Sequence, residues 1–311
     1  MKIERYIAGM AVAAFLAAKP GISASTPGTT GTVPAQMVVT VLPEKGGSRP
    51  QNLEAGELTI MQGKAPARVV HVQRFAGDLA NMQLFVLLDD STRSSSLGIH
   101  LPALKAFLRS LPATTQVAVG YMRNGSFALT QSFTVDHQSA ANSLRLPEAQ
   151  PGANGSPYFA LSDLVKQWPS KEATGRRAVL MLTDGVDRYY GTSIMDDPYV
   201  DSAIHEALKD GVLVYNIYLR GAGLYGRNSW VTNFAQSRLI EVSQETGGYS
   251  YFEAFTDPVS ISPFLDDLHF RLENQYQVTI EAVSDKGVQP VKLKTETPGL
   301  KVEGPTRIYV R

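Results

Sequence analysis

Leu84-Phe85-Val86-Leu87-Leu88-Asp89-Asp90-Ser91-Thr92-Arg93-Ser94 joins five uninterrupted apolar residues to two acids and a run rich in hydroxyl side chains. An apolar run of that length, with no polar alternation, reads as a strand covered on both faces, as in a parallel sheet. A second stretch has the same form: Ala178 to Leu182 is apolar and is followed by Thr183-Asp184-Gly185-Val186-Asp187.

Working outward from these stretches, strands alternate with amphipathic helices. Pro102 fits the first turn of a helix carrying Leu101, Leu104, Leu108 and Leu111 on one stripe. Gln116 to Met122 and Ser126 to Phe133 pair around Asn124-Gly125, a strong hairpin signal. Further helices are expected through Leu161, Leu164, Val165 and Trp168, from Pro198 through Leu208, over residues 233–246, and from Ser262 to Leu272. Val212 to Leu219 and Tyr249 to Phe252 read as the remaining strands. The expectation is an α/β fold with a doubly wound, mainly parallel sheet over residues 81–275 and one antiparallel hairpin edge.

The flanks differ. Residues 37–78 hold short β-type pieces (Met37 to Leu42, Glu57 to Met61, Arg68 to Phe75), with turns at Gly46-Gly47 and Gly63. Residues 276–311 return to β character, with alternation through Tyr276, Val278 and Ile280, a turn at Asp285-Lys286-Gly287, and late apolar positions at Ile308 and Val310. The two segments are expected to meet as one small β-sandwich into which the α/β domain is inserted.

Residues 1–24 have the order of a cleavable export signal: basic residues Lys2 and Arg5, the apolar run Ile7 to Ala18, and small residues ending at Ala24. The run is shorter than the roughly 20 residues of a membrane span. Residues 25–36 read as a linker, and the mature chain is expected to be periplasmic or extracellular. With no cysteine, neither a lipid anchor nor a disulfide is available. Loss of Lys2, Arg5, Lys19 and Glu4 from a balanced 29 basic and 29 acidic residues leaves a net charge of about −2. No basic cluster stands out, which argues against nucleic acid and anionic membrane as partners.

In an open α/β sheet, ligands bind beyond the carboxyl ends of the strands at the switch point. Asp89, Asp90 and Asp184, with hydroxyls at Ser91, Ser94 and Ser156, form a hard-oxygen set suited to a divalent cation. Acids after strands also serve as simple turn or cap residues. The order of these pieces resembles a von Willebrand factor A domain over residues 81–275. Thr183-Asp184-Gly185 matches that family's last metal element, Gly155-Ser156 stands where Gly-Thr is usual, and Glu245-Thr246-Gly247-Gly248 resembles a frequent closing signature. The mature chain as a whole is similar to bacterial exported proteins related to this family. The first metal element, Asp-x-Ser-x-Ser, fits two registers. If Asp89 leads, Ser91 fits and Arg93 replaces the second hydroxyl; if Asp90 leads, Thr92 and Ser94 supply both.

What the resemblance implies is recognition and not turnover. Mg2+ or Mn2+ would be held by hydroxyls and water-bridged acids, with one position open to a carboxylate from a partner protein. Arg93, Asp187, Arg188, Tyr189, Tyr190 and Tyr199, with the Asp196-Asp197-Pro198 segment, would form the contact rim, since Tyr and Arg anchor interfaces. The other readings are a metal-independent scaffold of the envelope and a metal-assisted hydrolase. Against the hydrolase, the chain has no Gly-x-Ser-x-Gly elbow, no His-Glu-x-x-His and no phosphate loop, and its histidines (His71, His100, His137, His205, His269) are dispersed.

Overall fold

A computed structural model describes residues 31–44, 52–150, 155–172, 175–190, 197–221, 225–283 and 285–311. The expected export signal at residues 1–24, expected linker residues 25–30, the Gly46-Gly47 turn, Asn154 and Asp196 lie outside the described residues.

Three strands come first: β1 (Thr32–Pro43), β2 (Leu58–Gln62) and β3 (Ala65–Arg74). The α/β unit then runs β4 (Met82–Asp89), α1 (Ser94–Gly98), α2 (Leu101–Ser110), β5 (Thr115–Arg123), β6 (Ser126–Thr134), α3 (His137–Asn142) and α4 (Pro157–Lys166). It continues as β7 (Arg176–Thr183), α5 (Pro198–Asp210), β8 (Val212–Tyr218), α6 (Ser229–Thr246), β9 (Ser250–Tyr251) and α7 (Ser262–Glu273). Four strands close the chain: β10 (Gln275–Val283), β11 (Gly287–Thr295), β12 (Leu300–Glu303) and β13 (Arg307–Val310).

The α/β unit has the sheet order β6-β5-β4-β7-β8-β9, parallel except for the β5–β6 hairpin. At the hairpin turn Asn124 and Gly125 both have positive φ (51° and 72°), as a type I′ turn requires. Because side chains alternate along a strand, β4 buries both faces. Leu84, Val86 and Leu88 join the core under α2, α3 and α7, while Phe85 and Leu87 join the core under α4, α5 and α6. Strand order reverses between β4 and β7, so a crevice opens at the carboxyl ends of these two strands.

Helix starts follow capping chemistry. Ser156 and Asp197 cap α4 and α5 through Phe159 N and Tyr199 N. Asn228 accepts from Trp230 N and Val231 N, so α6 starts at Ser229, four residues before the expected 233. Asn228→Ala is expected to cost about 1 kcal/mol, a drop of about 2–4 °C in a thermal melt.

The flanking strands form one antiparallel sheet in the order β12-β1-β10-β3-β2-β11-β13. It curls so that β1 approaches β13 and β11 approaches β12, over a single core that includes Val39, Ile60, Val278, Val291 and Ile308. The expected two-layer sandwich is thus a single curled sheet. Residues 32–36, expected as linker, belong to β1, where Thr32 already pairs with Val283. β12 and the short helices α1 and α3 had no expectation attached to them.

This sheet meets the amino end of the α/β unit. Buried Arg176, at the start of β7, donates to Leu272 O (2.6 Å) and Gln275 Oε1 (2.5 Å) and lies over the Phe75 ring. Desolvation pulls its pKa down to about 10. Among the described residues no helix is long and apolar enough to cross a membrane.

Candidate functional site

At the carboxyl end of β4, Asp89 turns into the crevice. Its Oδ1 accepts from Ser91 N (2.9 Å) and Ser91 Oγ (2.8 Å), and its Oδ2 accepts from Thr183 Oγ1 (3.0 Å) at the end of β7. Burial, and then the neighbouring Asp184 charge, push its carboxyl above the usual range, against the opposing pull of Arg188 and Ser91.

Asp184 is spoken for by the chain itself. Arg188 donates to both its oxygens, Nη1 to Oδ1 (3.3 Å) and Nη2 to Oδ2 (2.5 Å), and Val186 N also donates to Oδ1 (3.0 Å). The side chains of this ion pair are 3% and 7% exposed. Arg188 is therefore a buried partner of the site and not the exposed rim residue expected from the sequence. Its backbone N donates to Gly155 O (2.9 Å), which ties the loop after β7 to the turn before α4. Gly185 has φ +68°, and a Cβ there would meet Leu239 Cγ at 2.8 Å, so only glycine suits the turn.

Several other residues expected in the site are placed elsewhere. Asp90 is fully buried and faces away from Asp89: it takes Arg145 Nη1 (2.8 Å), Arg123 Nη2 (2.8 Å) and Glu148 N (2.9 Å). Burial alone would raise its pKa, but Arg145, the Glu148 amide and Arg123 together hold it below the ordinary carboxylate range. Strand alternation explains the split, because adjacent residues at a strand end project to opposite sides. Arg93 donates to Gly221 O (2.7 Å) in the loop after β8. Ser94 is exposed at the start of α1. Ser156 gives its proton to Asp187 and accepts from Phe159 N (3.1 Å). Asp187, expected on the rim, is buried and also accepts from Tyr189 N and Tyr190 N (both 2.8 Å), so it shapes its own loop.

Around this closed polar centre lies an aromatic rim. Tyr189 is 45% exposed, Tyr190 37% and Phe159 44%. Tyr199 contacts the rings of both Phe159 (5.3 Å) and Tyr190 (6.2 Å), edge to face. Phe159 had escaped notice in the sequence, though an aromatic beside Tyr158 and Ala160, both of which face the core, is the signal that would have found it.

Numbered within the α/β unit, the strand order is 3-2-1-4-5-6, and Asp89-x-Ser91 and Thr183-Asp184-Gly185 meet at its switch point. The α/β unit is von Willebrand factor A-like. No family model matches the sequence, and no curated protein matches it. Similar solved structures include an aerotolerance-related membrane protein from Bacteroides fragilis, at 12% identity, 62% of this chain, 98% of that chain and TM-score 0.43. The vWF domain of the type V pili tip protein Mfa5 from Porphyromonas gingivalis is similar at 8% identity, over 61% of this chain and 94% of that chain, with TM-score 0.43. The pilus adhesin SpaC from Lactobacillus rhamnosus GG is similar at 9% identity, over 82% of this chain and 47% of that chain, with TM-score 0.46. These are likenesses of fold.

The donor set does not fit the divalent cation that an A-type site implies. Both oxygens of Asp89 already accept hydroxyl or amide protons, and both oxygens of Asp184 hold the guanidinium. Ser156 is committed to Asp187, and Arg93 stands in place of the second hydroxyl of the first element. Among the described residues no three His, Asp or Glu side chains converge on a cation position. A cavity of about 30 Å³ remains between residues including Asp89, Ser91, Ser156 and Arg188, room for a water or two and little more.

Proposed function

We propose that the chain is an exported, non-enzymatic interaction protein that recognises a protein partner through the carboxyl-end edge of its A-type sheet. The observation that carries this reading is the rim of exposed Phe159, Tyr189 and Tyr190 beside half-buried Tyr199. Rings that present an apolar body with a polar tip are the side chains that supply most binding energy at protein interfaces. The export signal at residues 1–24 and the lack of basic clusters support a periplasmic or extracellular protein partner. Support for a non-catalytic role comes from the two crevice acids among the described residues: Asp89 accepts from Ser91 and Thr183, and Asp184 is paired with Arg188.

The test is affinity purification from the native envelope with the wild-type chain and with Tyr189→Ala/Tyr190→Ala. Both rings are exposed, so the melt of the double variant should stay within about 2 °C of wild type. The captured partner should be lost, with affinity at least about 30-fold weaker, as removal of one interface anchor worth about 2 kcal/mol predicts. Equal capture by both proteins would reject the aromatic rim as the contact surface. Turnover on a hydrolase panel that vanishes with Asp89→Ala would reject the non-enzymatic reading.

A further inference from the structure

We infer that Arg188 is a built-in substitute for the divalent cation of the A-type site, so that this edge works without Mg2+ or Mn2+. The inference concerns the control of the recognition edge proposed above and rests on that edge being the contact surface. Two carboxylates, Asp89 and Asp184, end neighbouring strands in a crevice with little access to water. Two such buried charges side by side need a compensating cation. In this chain a covalently attached one is present. The Arg188 fork spans both oxygens of Asp184, and its charge also acts on Asp89.

The cation is fixed by more than the ion pair. Arg188 Nη1 also donates to Val186 O (3.2 Å), and Arg188 N is bonded to Gly155 O. A guanidinium keeps its charge at every accessible pH and is less strongly hydrated than a metal ion, which suits it to a dry crevice. A metal arriving here would have to expel it. What it left behind would be two carboxylates, Asp89 and Asp184, beside the hydroxyls of Ser91 and Thr183, oxygen donors of the kind a divalent cation takes, so the guanidinium and a metal compete for one place. Departures from the A-type pattern also agree with one another. The second hydroxyl of the first element is Arg93, bonded to Gly221 O, and the mid-domain hydroxyl, Ser156, is turned to Asp187. Each loss of a metal donor is matched by a bond within the chain.

The test is a thermal melt and a calorimetric titration with manganese, on the wild type, Arg188→Met and Asp184→Asn. Wild type is expected to melt at the same temperature, within about 1 °C, in EDTA and in manganese, and to give no heat of binding. Arg188→Met keeps the bulk of the stem but uncovers both carboxylates. It is expected to melt several degrees higher in manganese than in EDTA, because an ion that binds only the folded state stabilises it. A manganese-dependent rise in the wild type that disappears in Asp184→Asn overturns the inference. So does a folded Arg188→Met protein that ignores manganese, since Arg188 would then stand in for nothing. Should Arg188→Met fail to fold, the wild-type titration decides alone: heat that vanishes in Asp184→Asn overturns the inference, and absence of heat supports it. Equal partner capture by wild type and Tyr189→Ala/Tyr190→Ala counts against the aromatic rim and leaves these readouts unchanged, so the two failures are distinguishable.

Discussion

Asp184→Ala is expected to destabilise the folded protein by about 3–5 kcal/mol, because it strands a guanidinium that is 3% exposed. Removing one member of a buried ion pair costs far more than the pair contributes, since Arg188 keeps its desolvation penalty and loses the carboxylate it holds with both nitrogens. Asp184→Ala/Arg188→Met should therefore recover at least half of the loss, a coupling well outside the additive range for independent sites. Denaturant melts of the two single variants and the double variant measure it. If Asp184 served only as the turn residue that accepts from Val186 N, the single change would cost about 1 kcal/mol, and Arg188→Met would add its own cost without any rescue.

Asp90→Ala is the second large effect, at about 2–3 kcal/mol, and it concerns the acid that turned out to lie outside the crevice. Asp90 is the common acceptor for Arg123 on β5, Arg145 in the connection after α3, and the Glu148 amide. Its loss removes the acceptor of that amide and the closest carboxylate of both guanidiniums, which keep Glu148 and, for Arg145, Leu146 O. The cost stays below that of Asp184→Ala because Arg123 is half-exposed and Arg145 is a quarter exposed, so both can turn to water. The sign of the pH dependence follows from the depressed pKa. Asp90 binds its proton less readily folded than unfolded, so its stabilisation is fully present above the ordinary Asp value, about 4, and is lost as pH falls through the folded value. Acid melts should therefore show a shallower loss of stability below about pH 4 in Asp90→Asn than in wild type. An equal slope would mean that Asp90 is not held by its arginines in solution.

Much of the fold was legible because its signals are local. The apolar runs ending at Leu88 and Leu182 are β4 and β7, Asn124-Gly125 is the hairpin turn, and the prolines at 102, 198 and 263 open helices. The curled antiparallel sheet was harder. Four of its six pairings join residues more than 200 positions apart, such as Val39 with Tyr276, and hydrogen bonding decides whether such strands make one sheet or two. β12 and α3 are too short to carry a periodic signal.

At the site, residue types were legible and orientations were not. Asp89 and Asp90 differ only by one step along a strand, and that step reverses the side on which the carboxylate emerges. The partners that settle the matter are Thr183 for Asp89 and Arg145 for Asp90, distant in sequence and brought close only by the sheet. Arg188 misled for a related reason. An arginine four residues after Asp184, in a loop rich in tyrosine, has the composition of an interface, yet the tight turn at Gly185 folds it back over the acid. The tyrosines that follow are the ones left exposed.

The most direct measurement of the central claim is a crystal structure of the wild-type protein grown in manganese chloride, with an anomalous difference map. The account predicts the Arg188 guanidinium seated on both Asp184 oxygens and no anomalous peak between Asp89, Ser91 and Asp184. A manganese peak ligated there, with Arg188 swung out to solvent, would contradict it.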